Sequence, residues 1–503
     1  MKLNSEDIKN TQEWLNKGYN LPKYDREKMI ETTKNNPVWV HFGPGNIFHA
    51  YHAEIAQNAI NNGDMASGIV CGEFYNEKLA EVIKAVDGLC IHAEIKTDGR
   101  IDKTVVASIA DTYFVNKDDG LEGLKEVFKK PSLQIVSFTV TEKGYVFKDN
   151  EDYNPDVYMA RVTACLYERY KTCNKPVTML STDNCAHNGD RLKEAIKHYA
   201  NLMKKNGLCD EKFINYIDTK VSFPLSMIDK ITPAPDKNIE GMLKADGIEG
   251  TIRFSNAEET GYLVIEDNFP NGRPALEKYG VIFADRETVD RVEKMKVGTC
   301  LNPLHTSLAV FGCLLGYSRI YEELNDQDLV KLIKGVGYIE GLPVVENPGV
   351  LDPKEFIDTC ILKRFPNPYI PDMPQRIATD TSQKIPMRFG GTIKKYCDKF
   401  GNAKELNYIP FVIAGWLRYL LGIDDEGNAF EPSPDPRLEE LRTYLKDVKL
   451  GDTVTDEIVH PILEDERIFV ISLYDAGIAD KVLSYFNKLI KEPKAVKKEL
   501  QNL

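Results

Sequence analysis

The runs at 37–42 (PVWVHF), 67–72 (SGIVCG), 133–140 (LQIVSFTV) and 177–181 (VTMLS) are short, β-rich and close to continuously apolar. A strand with one wet face alternates apolar and polar residues, whereas strands like these must be covered on both sides. Helical patterns separate them at 52–62, 76–85 and 191–204, and a β-rich pair at 90–96 and 104–114 lies between. The architecture that covers both faces of such a sheet is an α/β doubly wound one.

From about Val297 the pattern changes to long apolar-periodic segments at 306–321, 328–336, 411–421 and 476–488, which imply a mostly α-helical C-terminal domain. Proline-rich stretches at 365–374 and 431–436 read as loops within it. A chain of 503 residues exceeds the ~250–300 at which a single core stops growing, so two domains are expected, 1–296 and 297–503.

Charge narrows the partners. Lys+Arg number 64 against 77 Asp+Glu, a formal charge of −13, and polyanion binding is driven by clustered cations. Nucleic acid and an anionic membrane are therefore not expected. The longest apolar stretch, 408–423, contains Pro410, Gly415 and Arg418 and reads as a buried helix, too short for the ~20 residues of a membrane span. The first 20 residues are polar and unlike a secretory signal, and the ten cysteines include no C-x-x-C pair, so a reducing cytoplasm is the expected location. Oligomeric state is left open.

The first apolar run leads into Gly43-Pro44-Gly45-Asn46-Ile47-Phe48-His49, a turn that opens a helix. Glycines let the backbone turn tightly and approach a pyrophosphate, and the helix N-terminus offers free N–H donors. The third glycine of the usual G-x-G-x-x-G is absent, and an ordinary strand-to-helix turn is the alternative. The second run ends in Gly72-Glu73. An acid there accepts from a ribose 2′-OH and repels a 2′-phosphate, which favours NAD over NADP. Glu73 stands 28 positions after Gly45, more than the usual ~20, so a solvated surface glutamate is the alternative.

Polar clusters follow two of the apolar runs, Thr141-Glu142-Lys143-Gly144-Tyr145 and Asp183-Asn184-Cys185-Ala186-His187-Asn188-Gly189. A third spans Lys296 to His305, where helical character begins. Open α/β sheets bind ligands beyond the carboxyl ends of their strands, where the first two clusters fall. Oxidising a carbinol to a ketone needs a hydride acceptor, a base for the hydroxyl proton and donors for the developing oxyanion. A lysine and asparagine amides can fill the last two roles.

The segment 221–233, VSFPLSMIDKITP, closely resembles the signature of the mannitol dehydrogenase family of polyol-specific long-chain dehydrogenases/reductases. Ile228-Asp229-Lys230 stands where that family usually reads Val-Asp-Arg. HFGPGNIFHA, TEKGY, STDNCAHNG, the Lys296–His305 segment and RIATDTSQK (376–384) are family-like in the same order, so the resemblance covers most of the chain.

The resemblance implies a Rossmann-like NAD-binding domain, a helical substrate-binding domain and metal-independent interconversion of a polyol or aldonate with its ketose or keto-acid. Lys296, Asn302 and His305 match the family's Lys-x4-Asn-x2-His pattern, except that five residues separate the first two. One extra residue rotates a side chain by ~100° on an α-helix. Lys296 is nevertheless the expected base, because Glu293 precedes it as the family's proton-path glutamate does, with Lys294 the alternative. Asn184 matches the second oxyanion amide, and His305 the histidine that bonds a substrate hydroxyl. Arg376 and Lys384 match cations that hold distal substrate groups, and Asp229 a polar residue near the pocket. Gly43, Gly45, Asn46, Ile47, Phe48 and Glu73 fall on the cofactor side. Glu142 is expected near the nicotinamide, with a structural capping role the alternative. His49 occupies a position where the family usually has arginine.

Fructuronate and mannitol differ at the far carbon, carboxylate against hydroxyl, so a site for the acid needs an added cation. Arg388 is the candidate, an exposed arginine being the alternative. The segments LPKYDREKM, NPVWVHFGPGNIFHA and LQIVSFTVTEKGY are also more like the family's mannonate-oxidising members, which implies a mannonate–fructuronate reaction. Mannitol oxidation and tagaturonate reduction are the nearest alternatives. A non-catalytic NAD-binding sensor is the alternative of another class. A zinc alcohol dehydrogenase is disfavoured because the eight histidines and ten cysteines show no paired ligand spacing.

Overall fold

The computed structural model describes residues 1–370 and 372–503. The chain divides into two compact units, Met1–Asp290 and Arg291–Leu503.

In the first unit six strands form one all-parallel sheet in the order Ile109–Phe114, Ile69–Glu73, Trp39–Phe42, Ile135–Phe138, Val177–Ser181, Val221–Ser222. Numbered along the chain this is 3-2-1-4-5-6, the order of a dinucleotide-binding Rossmann sheet. The order reverses between Trp39–Phe42 and Ile135–Phe138, which pair in register from Trp39↔Ile135 to Phe42↔Phe138. Side chains alternate between two apolar cores: Val40, Phe42, Val70, Val136 and Phe138 face one, and Trp39, Ile69, Cys71 and Ile135 the other. That double burial is the reason these runs have no polar face. The Phe42 and Phe138 rings stack at 5.1 Å, an aromatic pair that adds about 0.5–1.5 kcal/mol beyond its burial.

The stretch expected as one β-rich run at 104–114 is two strands in two sheets. Ile101–Val106 pairs antiparallel with Cys90–Ile95 in a four-stranded sheet, and Ile109–Phe114 forms the edge of the parallel one. Ala107 and Ser108, both buried, carry the chain between them. A three-stranded sheet, Ser226–Lys230, Gly261–Glu266 and Val281–Ala284, completes the unit.

The second unit is helical, built around Asn302–Leu315 and Tyr408–Leu420, both almost wholly buried. Continuous helix from Arg286 to Leu315 is long and apolar enough by composition to cross a membrane, yet 78% of its most apolar window is buried in the fold, as in a core helix. Among the described residues π-turns interrupt the unit at Lys296–Cys300, Gly335–Gly341, Cys360–Arg364 and Pro386–Gly390. Such turns insert one residue into an α-helix and recur at functional sites.

Candidate active site

In the first unit the strand Trp39–Phe42 ends at Gly43, whose φ of +82° suits glycine. A Cβ on Gly43 would lie 2.4 Å from the Thr139 carbonyl oxygen, so the residue is also confined by the neighbouring strand end. A Cβ on Gly45 would meet only the Gly43 oxygen, at 3.9 Å, which leaves an open face above the turn. Helix starts at Asn46, so the first-turn amides of Asn46, Ile47 and Phe48 have no carbonyl four residues back within the helix. The turn thus offers the amides and the room a pyrophosphate needs.

His49 adds no cation there. It is buried, its Nε2 lies 2.8 Å from the Pro44 carbonyl oxygen, and burial holds the ring well below the usual histidine range, neutral at pH 7.

Glu73 ends its strand 6% exposed, which removes the solvated-surface reading. Its Oε1 accepts from the amides of Phe74, Tyr75 and Asn76 at 3.0, 2.8 and 2.9 Å. Oε2 makes no hydrogen bond among the described residues, which leaves an acceptor for a ribose hydroxyl.

Beyond the fourth and fifth strands, Glu142 is exposed and pairs with Arg191 at 2.6 Å. Asn184 is exposed, while Asp183 beside it is buried. The Asp183 carboxylate accepts from Val140 N–H at 3.1 Å, Thr141 N–H at 2.7 Å and the Tyr145 hydroxyl. Burial raises its pKa and these bonds oppose the rise. Asp229 is buried on Ser226–Lys230.

In the second unit Lys296 opens a π-turn and is 3% exposed, while Lys294 is exposed. Glu293 lies one turn earlier, half-buried. Asn302 is the first residue of Asn302–Leu315, with Pro303 next, where a missing N–H costs nothing. His305 follows on the same turn; its Nε2 lies 3.6 Å from Asp372 Oδ2 and its ring 5.2 Å from that of Phe365. Burial pushes its pKa down to about 4, Asp372 opposes this, and Arg388, Arg376 and Arg364 add to the lowering. The ring is therefore neutral at pH 7, able to donate from one nitrogen and accept at the other.

Arg388 sits on the π-turn Pro386–Gly390 and donates to Thr306 Oγ1, one residue after His305. It is half-buried rather than exposed, and burial lowers its pKa to about 10, so it stays cationic at pH 7. Lys384 donates to the carbonyls of Ile377, at 3.3 Å, and Thr379; burial first and Arg388 second lower its pKa. Arg376 is 59% exposed and pairs with Asp372. The second unit thus gathers His305, Asp372, Arg376, Lys384 and Arg388 into one electrostatic neighbourhood.

Sequence reasoning did not single out Asp183, Tyr145, Asp372 or Arg364. The first two lie inside the polar clusters after the strands, which was the available signal. Asp372 and Arg364 lie within and beside a proline-rich loop and carried none.

The parallel sheet with a glycine turn at its switch point, followed by a helical unit bearing lysine, asparagine and histidine on one helix start, defines a dinucleotide-linked dehydrogenase architecture. The family description "mannitol dehydrogenase Rossmann domain" matches residues 38–278, and "mannitol dehydrogenase C-terminal domain" matches 288–489. The chain belongs to the mannitol dehydrogenase family. It is 44% identical to a D-mannonate oxidoreductase of Thermotoga maritima over 100% of this chain and 99% of that protein. A mannitol 2-dehydrogenase of Emericella nidulans is 30% identical, with 89% of each chain covered. Among solved structures, mannitol 2-dehydrogenase of Pseudomonas fluorescens, in a ternary complex with NAD and D-mannitol, superposes with a TM-score of 0.71 at 25% identity, covering 100% of this chain and 99% of that one. A substrate-free D-sorbitol dehydrogenase gives a TM-score of 0.75 at 25% identity, covering 93% and 97%.

Proposed function

We propose that this protein is an NAD-dependent oxidoreductase that interconverts D-mannonate and D-fructuronate. The observation that carries the sugar-acid reading is Arg388, a half-buried cation fixed to Thr306 beside His305, where a substrate carboxylate can be paired. The full-length likeness to a D-mannonate oxidoreductase supports it independently.

NAD, when bound, would supply the acceptor for the hydride of the carbinol carbon. The open turn of Gly43 and Gly45 and the amides of Asn46, Ile47 and Phe48 would hold its pyrophosphate, and Glu73 its ribose. Glu142, exposed beyond the end of the fourth strand, would be on the nicotinamide side of the bound cofactor. Lys296 Nζ receives the hydroxyl proton during oxidation and returns it during reduction, with Glu293 passing it to solvent. The amides of Asn184 and Asn302 donate to the oxygen as charge grows on it, and neutral His305 bonds a substrate hydroxyl. Asp229, Arg376 and Lys384 hold groups further along the chain of the sugar acid, and Arg388 the carboxylate. The burial of Lys296 against the exposure of Lys294 supports the choice of base.

No metal enters this mechanism, so a strong chelator should leave the rate unchanged. The ten cysteines, dilute and with no C-x-x-C pair, support a reducing cytoplasm as the location. NADH consumption with fructuronate, tagaturonate and fructose tests the reading. Preference for fructose or tagaturonate would move the protein to another member activity of the family, and turnover of none would make it a non-catalytic NAD-binding protein.

A further inference from the structure

One carboxylate holds both loops that follow the fourth and fifth strands of the parallel sheet. Asp183 is 8% exposed; its Oδ1 accepts from Thr141 N–H at 2.7 Å, and its Oδ2 from Val140 N–H at 3.1 Å and from the Tyr145 hydroxyl. The Tyr145 hydroxyl also lies 2.9 Å from Ser181 Oγ. Behind the carboxylate, Asn188 Nδ2 donates to the Asp183 carbonyl at 3.0 Å and to Ser226 O and Oγ, each at 3.0 Å. Exposed Asn184 therefore projects from a segment that is fixed at its root.

Thr141 gives this tie its significance. Its backbone stands at φ +67°, ψ 163°, a region that glycine alone enters readily. A β-branched residue stays there only when its surroundings over-determine it, and two charge-assisted bonds to adjacent amides do so. Strain of this kind gathers at functional sites. This instance lies just past the strand end at the topological switch point, where open α/β sheets bind their ligands.

We infer that Asp183 is a positioning residue for the reaction, its carboxylate holding the Thr141–Glu142 loop and Asn184 in the arrangement that hydride transfer requires, with Tyr145 keeping the carboxylate aimed. The inference rests on the proposed oxyanion role of Asn184. A carboxylate that merely ties two loops for stability differs from it in readout: glycine at Thr141, which holds a positive φ unaided, relieves strain in either case, but only the positioning role makes kcat of the folded variant fall and then recover.

The test uses the full-length protein with Asp183→Asn, Tyr145→Phe, Thr141→Gly and the Asp183→Asn/Thr141→Gly pair. Asp183→Asn keeps the side-chain size but turns one acceptor into a donor facing an N–H or hydroxyl. Its kcat with fructuronate should fall ~10–100-fold, the scale of a small misplacement of reacting groups, while KM moves by less than about threefold. Tyr145→Phe should fall in the same direction by less. Thr141→Gly in the Asp183→Asn background should restore about tenfold of kcat. A kcat within about twofold of the parent in Asp183→Asn, or no recovery in the pair, overturns the inference. Amide hydrogen exchange across residues 139–146, read without substrate, should speed up in Asp183→Asn. Unchanged exchange also overturns the inference, whereas a parent protein without turnover would count against the oxidoreductase reading and leave the exchange result to decide this one.

Discussion

The Lys296 carbonyl accepts a hydrogen bond from the Leu301 amide at 3.1 Å, five residues along instead of four. This π-turn is where the extra residue between Lys296 and Asn302 goes. On an unbroken α-helix that residue would have swung the lysine by ~100° relative to Asn302 and His305. A turn that contains five residues absorbs it locally, and the helix resumes in its own phase at Asn302. The irregular spacing of the motif is thus matched by an irregular turn.

The two candidate lysines can be separated by rate. Lys296→Met removes the buried amine and should lower kcat by ~10²–10⁴, the usual contribution of a positioned acid or base. Lys294→Met, at an exposed site, should stay within about twofold of the parent. Steady-state NADH oxidation with fructuronate reads both, and the reverse ranking would transfer the role of base to Lys294.

Arg388 should govern discrimination between acid and neutral substrates. A hydrogen bond to a charged group contributes about 1.5–3 kcal/mol, so Arg388→Ala should lower the ratio of kcat/KM for fructuronate over fructose by ~10–100-fold. The loss should fall on fructuronate, with fructose nearly unaffected. An unchanged ratio would remove Arg388 from carboxylate recognition.

Much of this fold was legible because burial on two faces leaves a plain mark, a run of apolar residues without alternation. The glycine turn was legible because few residues tolerate the backbone of Gly43. The π-turns were not, since an i→i+5 bond changes the hydrophobic period by a single residue that composition does not register. Nor did spacing reveal the division of 104–114 between two sheets, because both strands read alike and only their partners differ. At the site, types and order were readable from the family resemblance, but burial was not. Lys296 buried beside Lys294 exposed, His49 turned onto Pro44 and Asp183 spanning two loops all follow from tertiary packing.

Glu73 carries two duties that substitution should separate. Its Oε1 receives three amides of the following turn, while Oε2 is free to meet the ribose. Glu73→Gln keeps an acceptor for the turn but loses the charge, so stability should drop little. KM for NADH should rise, and the preference for NADH over NADPH should narrow by about tenfold, since the carboxylate that repels a 2′-phosphate is gone. Glu73→Ala should show the same cofactor shift together with a lower Tm. A preference that survives both variants would place 2′-OH recognition elsewhere.

Glu323 offers a test of stability alone. It is fully buried on the helix Ile320–Glu323, its two carboxylate oxygens have no hydrogen-bond partner among the described residues, and burial raises its pKa well above the usual range, with Asp326 and Glu322 adding to the rise. In the unfolded chain the same carboxyl ionises near pH 4.5. The folded state therefore keeps a proton that the unfolded state has lost, and the contribution of this residue to stability is full below pH 4.5 and declines as pH rises. Gln has the same shape and no ionisation. The Tm difference between Glu323→Gln and the parent should thus grow in favour of the variant from pH 5 to pH 8, as thermal unfolding at several pH values would show. A difference that stays flat with pH would mean that Glu323 ionises normally in the fold.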